Sequence, residues 1–449
     1  MAQVKSSKAK KKQSGSKRKR SGLALKRGPK AVTGTPPPWP VIDETVVRAV
    51  SKALETEPLS ALRDGTPGAF EKRFAKYHHR RYALMTNSGT AALQLALAGC
   101  GLEPGDEVIT TPYTWGGTIG AILHHNAVPV FADIDPETLC LDPEAIRGRI
   151  SKRTRAILPV HIFGMPADMA TIVSIAREHG LKVVEDCSQA AGAQYRSKLV
   201  GRWGDVGAFS LQASKNLTAG EGGILITSDR EIYDRALALG THPVRIEDEV
   251  YHSQYKRYAD GLNFNFRPHP LAAAIAGAQL SKLAGWVREK NRNFRRLFDR
   301  VEGIVEPHGA AFRREHKGLV HGYHRVSLKF VHPDLAGLPH SVLLKALRAE
   351  GMDVGGYVET PVPLRRRFRD LRFYGRGCPW TCRHALRLPD YSPGNWPVAE
   401  ALCSDGEIIL QGNHYEYDEA LMDQYATAFE KLAKYADKLK TYAARYAKG

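Results

Sequence analysis

The chain has little of several things, and each shortage closes off a class of function. No apolar run approaches the roughly 20 residues that a helix needs to cross a bilayer. The longest, residues 271–278, is far shorter. The N-terminus holds no apolar core of the kind a secretory signal requires, so a cytoplasmic protein with no membrane contact is expected. Only six cysteines are spread over 449 residues. That is too few for a disulfide scaffold and suits a reducing compartment. Cys378 and Cys382 stand close together with His384 just beyond. Their spacing is not that of a zinc pair, and no second pair completes a site. Packed thiols and no metal are expected there.

Acids are absent from residues 1–33, which hold twelve Lys and Arg against a net charge of +18 for the whole chain. Ser and Gly interleave these charges, and apolar side chains are scarce. Such a segment cannot bury enough surface to offset the entropy of ordering. Residues 1–35 therefore read as a disordered basic tail. Nucleic-acid contact is one reading of it. A solvated extension with no specific partner is the other, favoured because no aromatic residue interleaves the charges.

Beyond the Pro-rich entry at 36–40 the pattern changes. A first helix is expected over 44–55. From about residue 68, short apolar runs alternate with helical segments. Strands are expected at 82–86, 107–111, 128–133, 156–161, 182–185, 206–210 and 223–227. Helices are expected at 90–97, 118–125, 143–150 and 169–179. Alternation at this spacing implies an α/β domain with a mostly parallel sheet covered by helices. A long helix over 271–300 leads out of it. A strand over 323–330, a helix over 341–350 and a last helix over 418–444 imply a smaller α+β domain. The expected division is a large domain over 36–290, including an N-terminal arm, and a C-terminal domain over 291–449.

In a parallel sheet, ligands bind beyond the carboxyl ends of the strands, so the loops there carry the chemistry. Asn87, Ser88, Gly89 and Thr90 open a helix whose free N–H groups and dipole can hold an anion. Alone they also read as an ordinary helix cap. Trp115, just past the strand at 107–111, can stack on a flat heteroaromatic ring. Asp186 ends an apolar strand, where a carboxylate needs a cationic partner such as a protonated pyridine. Capping a helix is the plainer role for it. Lys215 lies between Ser210 and the Gly220-Glu221-Gly222-Gly223 turn, where a desolvated amine can form an imine. Ser210 can bind a phosphate. Together these are an anion cup, a stacking ring, a pyridinium acceptor and an imine lysine, the four things that pyridoxal phosphate needs.

These segments resemble the DegT/DnrJ/EryC1/StrS family of sugar aminotransferases, on the fold type I scaffold of aspartate aminotransferase. Support comes from 87–93, from 159–164, from Gln189 and Ala190, and from Asn265, Phe266 and Arg267 with the helix after them. The resemblance runs from about Trp39 to about residue 440. It implies that Lys215 is the Schiff-base lysine and Asp186 the partner of the pyridine nitrogen. Gln189 would lie near the ring oxygen, and Trp115 would stack. Ser88, Gly89, Thr90 and Ser210 would cradle the phosphate. Asn265 would reach the phosphate of a neighbouring subunit, making a homodimer with shared active sites.

The reaction implied is amino transfer from Glu or Gln to a nucleotide-linked keto-sugar or a keto-cyclitol. The aminocyclitol and aminohydroxybenzoate subset is the nearest, through Trp39-Pro40 and the 217–223 run. The basic loop Arg365-Arg366-Arg367-Phe368-Arg369 with Arg372 would suit a nucleotide diphosphate instead. Leu211, Cys187-Ser188 and Pro268-His269-Pro270 depart from the family pattern, and none of them removes a group with a chemical role. Two alternatives share the fold. One is a sugar dehydratase, which would carry His where Lys215 stands. The other is a regulatory protein that binds the cofactor without turnover.

Overall fold

The structure is a computed structural model that describes residues 22–60, 65–375, 377–384 and 388–446. Seven strands build the main sheet: β1 (Tyr82–Thr86), β2 (Glu107–Thr110), β3 (Val128–Phe131), β4 (Thr154–Leu158), β5 (Lys182–Asp186), β6 (Val206–Ser210) and β7 (Gly223–Thr227). Their order is β1-β7-β6-β5-β4-β2-β3. Only β7 runs against the others. The reason lies in the loop before it. The Leu211 N–H donates to Gly222 O at 2.9 Å and the Ala219 N–H to Leu211 O at 2.7 Å. A loop closed on itself returns the chain antiparallel, whereas a parallel return needs a crossover, usually a helix.

The strands are apolar on both faces, as a sheet covered by helices demands. Helix α1 (Glu44–Thr56) starts at Asp43, whose side chain accepts from the Thr45 and Val46 N–H groups. Helix α2 is Gly65–Tyr77 and α3 is Gly89–Gly99. The Ala- and Leu-rich α3 is buried along most of its length and capped by Ser88. Helix α4 (Gly116–Leu123) follows Trp115.

The long helix expected over 271–300 is three pieces. Helix α5 (Pro270–Gln279) and helix α6 (Leu283–Arg300) are joined by a 3-10 turn at Leu280–Lys282. Lys282 on that turn pairs with Asp43, the cap of α1, which anchors the bend. Helix α6 bridges two cores: Val287 packs with the main sheet, Phe294 and Leu297 with the smaller domain.

The smaller domain holds an antiparallel sheet of β8 (Val305–Pro307), β9 (Val326–Phe330), β10 (Val354–Gly355) and β11 (Ile408–Leu410), in the order β8-β9-β11-β10. Its helices include α7 (His340–Ala349), α8 (Glu419–Lys434) and α9 (Ala436–Tyr446). The last two replace the single helix expected over 418–444, with the break at Tyr435.

Two segments sit elsewhere than the sequence suggests. Residues 22–35, assigned to the disordered tail, lie on the smaller domain. Leu23 and Val32 are buried in its core. The Glu350 carboxylate accepts from the Ala24 and Ala31 N–H groups at 2.8 and 3.1 Å. The Thr33 and Gly34 N–H groups also donate to Gln424 Oε1, and Lys431 Nζ donates to Pro29 O. Residues 1–21 lie outside the described residues. The described residues of 357–403, assigned to the C-terminal domain, pack on the large one. Val362, Phe368, Trp380 and Trp396 join its core. The Tyr391 hydroxyl donates to Pro129 O at 2.8 Å and Trp396 Nε1 to Phe131 O at 3.0 Å, so this stretch covers the edge strand β3. Within it Cys378 and Cys382 are joined as a disulfide rather than packed as thiols. No described helix is long and apolar enough to cross a membrane.

Candidate active site

Because six strands share one direction, the loops after β1, β2, β4, β5 and β6 open at one edge of the sheet. The turn from β1 into α3 is held by the Thr86 hydroxyl, which donates to Ser88 O at 2.8 Å. Ser88 Oγ accepts from the Ala91 N–H at 3.1 Å. This turn lies tight against the end of β6. A Cβ on Gly89 would come within 2.7 Å of Ser210 Cβ, and one on Gly223 within 2.2 Å of Ser88 O. Glycine is needed at both places for close backbone approach.

Asp186 ends β5 and is 3% exposed. Its Oδ2 accepts from the Thr118 hydroxyl at 2.8 Å, and its Oδ1 from the Ser188 N–H at 3.0 Å. Thr118 stands in turn 2.9 Å from Thr114 Oγ1. Two donors hold the carboxylate in place. One residue earlier, Glu185 points to the other face of the sheet. It accepts from the Gly201, Trp203 and Gly204 N–H groups and from His161 Nε2. Burial pushes its pKa up, but the bonds from His161 and the amides outweigh that and hold it below the usual value. His161, Glu185 and Cys187 are close enough to group around an ion. His161 Nδ1, however, accepts from the Ala167 N–H at 3.0 Å, so that nitrogen is engaged.

Gln189 is fixed at both ends. Its Oε1 accepts from the Phe163 N–H at 2.8 Å, and its Nε2 donates to the Tyr357 hydroxyl at 3.1 Å. Trp115 is 70% exposed, which is far from core packing.

Lys215 follows a turn in which its N–H donates to Gln212 O at 2.8 Å. Burial lowers its amine to about 8, with Asp186 opposing the shift and Arg325 adding to it. An amine at that value has a neutral fraction near physiological pH far larger than an ordinary lysine's, and that fraction can attack a carbonyl. Behind it, Asn216 Nδ2 donates to Gly322 O at 2.6 Å, and Trp39 Nε1 donates to Ala213 O at 2.9 Å.

Ser88, Gly89, Thr90, Trp115, Asp186, Gln189, Ser210 and Lys215 all line one cavity of about 560 Å³. That volume suits a small-molecule site. Asn265 is not among the lining residues. It is exposed and accepts from Arg267 Nε at 2.7 Å. The adjoining Phe266 O accepts from the Asn87 N–H at 2.9 Å, so Asn265 stands beside the β1–α3 turn without entering the cavity.

The cavity also has walls that local sequence patterns do not mark. Thr118 lies inside a helix, and the signal for it is only its place three residues after Trp115. His324, Arg325 and Gln411 arrive from the smaller domain, and Tyr357 from the start of the stretch that packs on the large one. Burial, with Lys215 and Arg325 nearby, pushes the His324 imidazole well below its ordinary value.

The residues present fit pyridoxal phosphate. The cavity offers helix-start amides beside Ser210 for a phosphate and an exposed indole for a ring. A buried carboxylate is available for a ring nitrogen, and a lowered amine for an aldehyde.

Residues 40–392 match the sequence model of the DegT/DnrJ/EryC1/StrS aminotransferase family. An L-glutamine:2-deoxy-scyllo-inosose aminotransferase of Streptomyces fradiae is 33% identical over 90% of this chain and 96% of its own length. A GDP-perosamine synthase of Escherichia coli O157:H7 is 35% identical over 58% of this chain and 68% of its own. The crystal structure of 3-amino-5-hydroxybenzoic acid synthase superposes with a TM-score of 0.73 at 26% identity, over 89% of this chain and 99% of that one.

Proposed function

The chain belongs to the DegT/DnrJ/EryC1/StrS family of pyridoxal-phosphate-dependent aminotransferases, and from that premise we propose that it transfers the amino group of L-glutamine or L-glutamate to the ketone of a cyclitol. The observation that carries this reading is one cavity onto which Lys215, with its amine at about 8, and the doubly hydrogen-bonded Asp186 both open. A relative named for a scyllo-inosose acceptor, aligned along nearly its whole length, favours a cyclitol over a nucleotide sugar. The exposed Arg366, Arg367 and Arg369 are the feature that would favour the nucleotide sugar.

When bound, the cofactor supplies an aldehyde for an amine and a ring that withdraws electrons from the donor's Cα. Asp186 would pair with the ring nitrogen, and the bonds from Thr118 and Ser188 would keep its carboxylate aimed there. Trp115 would cover one face of the ring, and Gln189, held by Phe163 and Tyr357, would lie by the ring oxygen. Ser88, Gly89, Thr90 and Ser210 take the phosphate. Lys215 would hold the cofactor's aldehyde and, as a free amine, would be the group placed to take a proton from the donor's Cα and return it.

Asn265 completes the phosphate site of a second subunit in this reading. Support comes from the company it keeps: Tyr251, Leu262 and Phe264 on the same stretch are 77, 90 and 52% exposed. An apolar patch of that kind marks a surface that is covered in use. A cytoplasmic setting accords with the four cysteines that stand as free thiols, while the Cys378–Cys382 pair points the other way.

The test is spectroscopic. Adding L-glutamine to the cofactor-loaded protein should bleach its visible band, and 2-deoxy-scyllo-inosose should restore it. A band indifferent to both amino acids would refute amino transfer. Restoration by a nucleotide keto-sugar and by no cyclitol would replace the acceptor.

A further inference from the structure

Four charged side chains line the cavity: Asp186, Glu221, Lys215 and Arg325. Three have an evident use or none needed. In the amino-transfer reading Asp186 would face the ring nitrogen and Lys215 the aldehyde, and Glu221 is exposed to water. Arg325 is different. It is half-buried, and no carboxylate of the described residues pairs with it. Among the described residues its side chain makes a single donation, from Nη1 to His324 O at 2.9 Å. A guanidinium carries five N–H groups in a planar fork. Burial, only partly opposed by Asp353, pulls its pKa below the ordinary value, as expected for a cation lacking a close anion. Leaving such a charge half-desolvated is costly unless a ligand completes it.

Its position narrows what that ligand is. The Arg325 N–H donates to Phe163 O at 3.3 Å, and the His324 N–H donates to the same oxygen at 2.8 Å. The Phe163 N–H is the group that fixes Gln189. Arg325 is thus pinned to the loop that holds one side of the ring site, and its charge is felt at the Lys215 amine. An amino donor must bring its nitrogen to the carbon that Lys215 occupies. Its α-carboxylate is bonded to the very next carbon, so it travels with the reacting atoms to this part of the cavity. A planar carboxylate also matches the guanidinium fork. A keto-cyclitol carries no charge to offer, but its hydroxyls can accept from the same N–H groups in the second half-reaction.

We propose that Arg325 binds the α-carboxylate of the amino donor, an assignment that rests on the amino-transfer reading above. It makes Arg325 the residue that selects α-amino acids over simple amines.

The test uses the cofactor-loaded protein and glutaramate, which has the carboxylate and amide of glutamine but no amino group, so it binds without reacting. Calorimetric affinities are compared for the native protein, Arg325→Met and Arg325→Lys. Arg325→Met should weaken glutaramate roughly 10- to 100-fold, the loss of a charge-assisted hydrogen bond, and Arg325→Lys should recover part of it. In single turnovers the Met variant should need correspondingly more L-glutamine to bleach the cofactor band. Bleaching by 4-aminobutanamide, the same donor without its carboxylate, should not change. The proposal is overturned if native protein does not bind glutaramate, if the Met variant binds it equally well, or if both donors lose alike. It is also overturned if the defect lies in cofactor affinity or in the acceptor half-reaction alone, which would put the anion on the phosphate or the acceptor. A native protein that binds glutaramate yet is bleached by no amine would sink the amino-transfer reading while leaving the carboxylate site standing.

Discussion

Lys290 Nζ donates to Asn216 Oδ1 at 2.7 Å, inside the protein and one residue beyond Lys215. Lys290 also donates to Tyr323 O at 3.3 Å and has no carboxylate partner among the described residues. Asn216 in turn donates to Gly322 O. A buried ammonium without an anion is costly. Burial, with Arg325 adding to it, pulls this amine well below its ordinary value. What it does in return is tie helix α6 to the reactive loop.

This contact predicts a pH dependence of stability. The folded pKa of Lys290 is depressed, so between that value and the unfolded value of about 10.4 the unfolded chain binds more protons. Stability linked to Lys290 is therefore present above the unfolded pKa and lost as pH falls. In Lys290→Met this dependence disappears, while Asn216 and the Tyr323 carbonyl each lose a donor at a cost of about 1–3 kcal/mol. Denaturant unfolding at a series of pH values should show the variant weaker at high pH and the gap narrowing toward neutrality. A gap that is constant with pH would mean Lys290 does not titrate differently on folding.

Asp186 predicts a catalytic loss with a graded companion. Asp186→Asn keeps the shape and removes the charge facing the ring nitrogen. Turnover should fall at least roughly a hundredfold, the lower end for one electrostatic catalytic group. Thr118→Val removes one of the two hydrogen bonds to that carboxylate and should cost roughly tenfold, the value of a bond to a charged group. Steady-state rates at saturating cofactor decide this. Equal effects of the two changes would indicate that Thr118 shapes the pocket rather than supporting the charge.

Lys215 predicts both a loss and a pH profile. Lys215→Ala should fold normally, lose the visible band of bound cofactor and lose turnover. In the native apo-protein, the amine must be unprotonated to take up the aldehyde. Below about 8 it is held as the ammonium, so uptake should rise with pH through about 8 and then level off. A midpoint near the ordinary lysine value would show that the pocket does not desolvate the amine.

The parts of this site that sequence reveals are those with a local reason to be noticed. Ser88, Asp186, Ser210 and Lys215 each follow an apolar strand in a chain of alternating elements, and a parallel sheet must gather such loops at one edge. Tyr357, His324 and Arg325 have no such signature. His324 and Arg325 reach the cavity from the smaller domain, which α6 ties to the large one, and Tyr357 reaches it from the stretch packed on the large domain. Their spacing to Lys215 in sequence carries no period or cap to read. Docking of residues 22–35 was hidden for another reason. Composition averages over a segment, and the abundant Lys and Arg mask Leu23 and Val32, the two side chains that it buries.

Asn265 supplies the last prediction. It lies outside its own chain's cavity, next to the β1–α3 turn, on a stretch whose Tyr251, Leu262 and Phe264 are exposed. If it completes the phosphate site of a second subunit, each active site needs Lys215 from one chain and Asn265 from the other. Lys215→Ala and Asn265→Ala subunits, each weak or inactive alone, are then mixed and allowed to exchange. In a mixed dimer one site carries both lesions and the other carries neither. Half of the mixed dimer's sites should work, and random pairing makes half of the dimers mixed, so about a quarter of native activity should return. Cofactor should also strengthen dimerisation, because a ligand that binds only the assembled state stabilises it by mass action. If exchange is proven by mass and no activity returns, Asn265 serves its own chain, with Arg267 anchoring the start of α5. The apolar stretch around it would then need another explanation.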